Sequence, residues 1–161
     1  GVGLTVPPDW LPPLVRLEDH EDNLDRHLDA VYGWFRQDFF DHQTLYQGMP
    51  CAVRATLAPE GREAGFWHLV TSTDANGRRN LATNRLERIR WIRAVIESAG
   101  TDRVASWRYQ RNGEERVACA LADFSYFIGL VNTGSLLILV TAFPVQQEHT
   151  RRKLRREYEG A

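Results

Sequence analysis

Apolar residues recur at helical spacing over residues 18–41, where Leu24, His27 with Leu28, Val31 and Phe35 form one stripe. Acidic residues precede that stripe, as the helix dipole favours, and the segment predicts a first helix. Its aromatic residues Tyr32, Trp34, Phe35, Phe39 and Phe40 read as core, and Gly48-Met49-Pro50 as the exit. Residues 51–57 alternate enough for a strand, and Phe66–Thr71 reads as a second short one. The polar stretch 72–80 carries the turn pair Asn76-Gly77. Thr83 or Asn84 then caps a second helix running to about Ser98, with Leu86, Ile89, Ile92 and Ile96 as its buried stripe and Gly100 just beyond its end.

After Gly100 the period changes from 3.6 to 2. Val104–Gln110 and Glu115–Leu121 flank Asn112-Gly113, a pair suited to a type I′ hairpin turn. Phe124–Val131 and Leu136–Phe143 make a second hairpin across residues 132–135. Pro144 closes this meander of about four strands, and Arg151–Arg156 falls in a short terminal helix over 146–159. Ahead of everything, residues 1–17 contain Pro7, Pro8, Pro12 and Pro13, spaced for an extended arm that lies along something else. Helices over 18–98 followed by a sheet over 103–144 predict an α+β fold in a single domain, residues 18–161.

Composition is compatible with that reading: 161 residues, 43% hydrophobic and 25% charged, suffice for one well-buried core. The longest apolar run, Leu136–Phe143, is too short to span a bilayer, and the N-terminus lacks the pattern of a secretory signal. Cys51 and Cys119 have apolar neighbours and no CxxC spacing, so they read as reduced core thiols of a cytoplasmic protein.

Net charge alters the picture. The formal value of −1 averages two unlike parts. Residues 1–50 carry Arg16, Arg26 and Arg36 against nine acidic residues, whereas residues 51–161 are net positive. The basic excess concentrates in 76–93, where Arg78, Arg79, Arg85, Arg88, Arg90 and Arg93 face Glu87 alone. All basic residues of the chain but Lys153 are arginine, the side chain suited to bidentate phosphate contacts. Arg78 and Arg79 in the loop, and Arg85, Arg88 and Arg93 on the helix, can cradle a phosphate backbone, with Trp91 beside them. The same arginines also suit a solvated helix paired to the acidic segment.

Of the five histidines, His68 stands apart, because Phe66-Trp67-His68-Leu69 places it just before the arginine-rich stretch. A histidine titrating near neutrality beside phosphate-binding arginines is what metal-independent RNA cleavage requires. A buried, hydrogen-bonded core histidine is the plainer alternative. No P-loop, GxGxxG, GxSxG or metal-ligand spacing occurs, so no cofactor and no metal are implied.

Four stretches taken together carry a resemblance: Phe66-Trp67-His68-Leu69, Asn84-Arg85-x-x-Arg88-Ile89-x-Trp91, Val140-Thr141-Ala142-Phe143 and Arg152-Lys153-Leu154-x-x-Glu157-Tyr158. Over roughly residues 30–160 the chain resembles phage- and mobile-element-encoded proteins related to the barnase/EndoU/colicin-tRNase/RelE group of ribonuclease toxins. The resemblance implies a small helical part followed by a four-stranded antiparallel sheet. It also implies metal-independent cleavage of RNA, tRNA included, by a toxin restrained by a cognate antitoxin or immunity protein. Carried onto this chain, His68 is the acid/base, Arg85 and Arg88 stabilise the scissile phosphate, Thr141 orients it, and Tyr158 adds a stacking or hydroxyl contact. No glutamate is placed as an obvious general base, which departs from the pattern. Two other readings stay open. One is a non-catalytic module binding nucleic acid or an acidic protein through the arginine face. The other is a chain, monomeric or homodimeric, whose acidic segment masks that face.

Overall fold

The computed structural model describes residues 7–58 and 61–161, which form one α+β unit. A 3-10 turn at Glu18–His20 leads into α1 (Leu24–Arg36), capped by Asn23, whose side chain accepts from the Arg26 backbone N–H at 3.1 Å. His27, Val31 and Phe35 make its buried face; Leu24 departs from the expected stripe and stands exposed. A π turn, Gln37–Asp41, continues the helix to the predicted end.

The sheet has six strands where about four were expected. The four long ones, β5 (Val104–Arg111), β6 (Glu114–Leu121), β7 (Tyr126–Asn132) and β8 (Leu137–Pro144), form the antiparallel meander. Asn112 and Gly113 both have positive φ, as the type I′ turn requires. The two extra strands are β1 (Thr44–Tyr46) and β2 (Met49–Ala52), giving the order β1-β2-β8-β7-β6-β5 with β2 parallel to β8. They are too short to show a period, and Pro50 argues against a strand by the usual rule. Gln47 and Gly48, both at positive φ, close this hairpin in place of the more familiar Asn-Gly. The strand expected over 51–57 therefore begins earlier and stops at Ala52.

Two further elements differ from expectation. Phe66–Thr71 is not a strand: α2 spans Ala64–Val70, burying Phe66, Leu69 and Val70 at helical spacing. Short apolar runs do not distinguish the two periods, and the deciding feature is tertiary. A Cβ on Gly65 would lie 2.9 Å from the Arg54 backbone nitrogen and 3.0 Å from its oxygen, so only glycine lets α2 start against that backbone. The helix expected over 83–98 is two pieces, α3 (Thr83–Glu87) and α4 (Trp91–Glu97), joined by i→i−3 hydrogen bonds through Arg88–Trp91. Ala82 precedes α3, and neither Thr83 nor Asn84 caps it. The chain closes with α5 (Glu148–Gly160).

Strand alternation divides the core. Val117, Cys119 and Leu121 join the large cluster beneath α1, α2 and α4, whereas Ala118 and Ala120 join a smaller cluster with Trp107, Phe127 and Leu154 of α5. The proline-rich arm does lie along the body: Val15 N–H donates to Glu87 O at 2.9 Å, and Leu11 and Val15 are buried. Residues 1–6 of the expected arm lie outside the described residues.

Candidate functional site: a basic hollow around His68

Helix α2 ends where a short hairpin begins, β3 (Thr71–Thr73) pairing antiparallel with β4 (Arg79–Leu81). Two arginines close over that helix end. Arg79 donates Nε–H to Thr71 Oγ1 at 2.9 Å, and its Nη2 to the carbonyls of Thr71 at 3.0 Å and His68 at 3.2 Å. Arg85, on α3, donates Nη1–H to Thr71 O at 2.9 Å. Terminal carbonyls carry the negative end of the helix dipole, which accounts for cations gathering there.

His68 projects from the same turn of α2 between two concavities. One, of about 310 Å³, is lined by Ala58, Trp67, Thr71, Arg79 and Leu81; the other, of about 240 Å³, by Arg54, Gly65, Leu139 and Val140. His68 is exposed to solvent. Partial loss of solvation, followed by the charges of Arg79, Arg54 and Arg85, lowers the His68 pKa below its ordinary value. Both causes favour the neutral form of the imidazole, the form that accepts a proton.

The arginines differ in what they have left to offer. Arg79 spends Nε and both Nη atoms on the protein, the last through Thr73 Oγ1 at 3.3 Å, so it supplies charge more than donors. Arg85 keeps Nε and Nη2 free, and burial lowers its pKa without threatening its charge. Arg54 is exposed, and among the described residues none of Arg54, Arg79 and Arg85 has a carboxylate within salt-bridge distance. The acidic N-terminal segment thus leaves this face open.

The remaining expected site residues are placed elsewhere. Arg88 turns inward, donating to Asn84 O at 2.9 Å with its guanidinium 5.0 Å from the Trp91 ring. Trp91 is 5% exposed, ties its indole N–H to Pro12 O at 2.9 Å and packs edge-on to Tyr126, so it is core and not a stacking platform for substrate. Arg93 pairs with Glu97 at 3.2 Å and reaches Asp38 at 3.9 Å, which makes it a structural cation. Arg78 stays exposed at the hairpin turn. Thr141 pairs with Gly129 on the opposite sheet face, near Phe127 and Tyr109. Tyr158 shares that far side, its ring 5.7 Å from Trp107 and 5.9 Å from Phe124. Four widely spaced motifs cannot reveal which side of a strand or helix each residue occupies.

Arg54 is the residue that sequence reasoning missed. It is an isolated arginine 14 positions before His68, and only the close approach at Gly65 brings it in. Among the described residues no three His, Cys, Asp or Glu side chains gather to hold a metal ion, and no helix is long and apolar enough to cross a membrane. Cys51 and Cys119 are buried, and burial pushes both thiols up to about 12, which leaves them inert as nucleophiles. Compared with family models, with curated proteins and with solved structures, the chain matches none.

Proposed function

We propose that this chain binds single-stranded RNA in the basic hollow and cleaves it without metal, His68 acting as the base. The observation that carries the reading is geometric: the His68 ring lines two concavities, one shared with Arg79 and the other with Arg54, Arg85 bonds the same helix end, and among the described residues no carboxylate pairs with these arginines. Phosphate oxygens would take the free donors of Arg85 and Arg54, while the fixed charge of Arg79 offsets the charge that builds on phosphorus in the transition state. His68 accepts the 2′-hydroxyl proton as the 2′-oxygen forms its bond to phosphorus. The bond from phosphorus to the 5′-oxygen breaks, and that oxygen takes a proton from water. Arginine stays protonated throughout, and no lining residue other than His68 titrates near neutrality, so the leaving group is left to solvent. Turnover is accordingly slow for a nuclease. Restraint by a cognate inhibitor and residence in the cytoplasm belong to the same proposal.

Incubation with total RNA in EDTA tests this directly. Wild-type protein yields fragments ending in 2′,3′-cyclic phosphate, and His68→Ala yields none; intact RNA with wild type, or equal cleavage by the variant, overturns catalysis. The lack of a second proton-transfer group favours one rival, binding without turnover. Salt-sensitive RNA affinity alongside intact RNA would establish that rival instead.

A further inference from the structure

Besides the pair of concavities that flank His68, the fold holds a second site, a hollow of about 230 Å³ lined by Arg85 and not used by the cleavage chemistry. Its lining includes Ser72, Asn84, Arg85, Phe143, Gln147 and Thr150. Thr71 and Ser72 are consecutive in β3, so their side chains point to opposite sides: Thr71 lines the hollow of His68 and Ser72 lines this one. The start of β3 thus lies between the two, and Arg85 lines the second hollow while donating to Thr71 O.

The chemistry of the two sides differs. The concavities that flank His68 each have one arginine in their lining, Arg79 in one and Arg54 in the other, together with the imidazole. In the second site, Arg85 is the one charged group of the lining, and its guanidinium carbon lies 5.3 Å from the Phe143 ring centroid, a cation–aromatic pair. Lining the hollow with it are the hydroxyls of Ser72 and Thr150 and the side-chain amides of Asn84 and Gln147. Among the described residues these four side chains spend no hydrogen bond on the protein; the bonds involving Asn84 and Gln147 use their backbone oxygens. An apolar ligand would leave these groups unpaired. Amides that both donate and accept, beside a flat guanidinium–aromatic surface, match the edge and face of an unstacked nucleobase.

We infer that this second hollow receives a nucleobase of the RNA strand whose phosphate lies beside His68, with Asn84 and Gln147 reading its edge and Arg85 stacking on its face. The inference rests on the RNA reading above and adds base selectivity to it.

Anisotropy titration of fluorescent oligo-A, oligo-U and oligo-C across a salt series tests it, with wild type, Asn84→Ala and Gln147→Ala, and circular dichroism to verify that each variant is folded. Wild type prefers one oligomer, and each variant narrows that preference by about threefold to tenfold, the worth of one hydrogen bond, with an unchanged salt slope. Equal affinity of wild type for all three, or full preference retained in both variants, overturns the base subsite while leaving RNA binding standing. A reduced salt slope in the variants also overturns it, since the hollow would then hold phosphate. No binding of wild type to any oligomer overturns the RNA reading and the subsite together.

Discussion

Arg85 donates Nη1–H to the carbonyl oxygen of Thr71 at 2.9 Å, which fixes the start of the β3–β4 hairpin relative to α3. The bond carries a structural consequence apart from any ligand. Arg85→Ala leaves a buried backbone carbonyl with only its Arg79 contact, and urea unfolding is expected to show a loss of about 1–2 kcal/mol. Arg85→Lys keeps the charge, cannot fork, and is expected to recover less than half of that loss.

The lowered pKa of His68 has two signs to check. As a base the ring must be neutral, so cleavage is full above its folded pKa and falls as pH drops through it, at a pH below the ordinary histidine value of 6.5. For stability, the unfolded chain binds the proton more readily, so between the folded and ordinary values stability rises with pH. Urea midpoints at pH 5 and pH 7.5 are expected to differ less in His68→Gln than in wild type. An equal difference would show that neither loss of solvation nor the arginines shift the His68 pKa.

Gly65→Ala tests the contact that brings Arg54 to the site. Alanine favours a helix, yet its Cβ would meet the Arg54 backbone at 2.9 Å, and backbone cannot swing aside as a side chain can. A net destabilisation of about 1–3 kcal/mol is expected in chemical denaturation, with RNA affinity reduced as Arg54 moves off the hollow.

Thr141 and Tyr158 serve as controls from the far side of the sheet. Thr141→Ala and Tyr158→Ala are expected to cleave RNA at the wild-type rate in single-turnover assays. Tyr158→Ala gives up packing on Trp107 and Phe124, and about 1 kcal/mol of stability with it. A strong loss of cleavage in either variant would contradict the placement of the site.

Trp91 pins the arm. Trp91→Phe retains most of the buried ring and removes the indole donor to Pro12 O, so a loss of about 1 kcal/mol is expected, with faster proteolysis near Pro12 and unchanged RNA affinity.

Residues 104–144 were legible from sequence because their strands are long and their first turn is asparagine-glycine, a local signal that needs no tertiary help. The extra strands β1 and β2 were not, being three and four residues long and joined to the sheet only through the parallel pairing of β2 with β8, a contact remote in sequence. Helix α2 escaped for a similar reason, since its first turn depends on the Arg54 backbone. At the candidate site, residue type and local charge mark His68 and Arg85 in the sequence. Arg54 was not, because nothing near it in sequence marks it. Trp91 and Arg93 were misread because an arginine-rich segment does not show which of its side chains the acidic helix and the arm take up.

The claim at the centre of this account is that Arg54, Arg79 and Arg85 form an open phosphate-binding surface. The most direct test is the dependence of single-stranded RNA affinity on salt concentration. Neutralising three phosphates predicts a slope of roughly −2 in log K against log salt, at about 0.7 per contact. Arg54→Ala and Arg79→Ala should each flatten it by about 0.7. A wild-type slope near zero, or variants that retain the full slope, would contradict it.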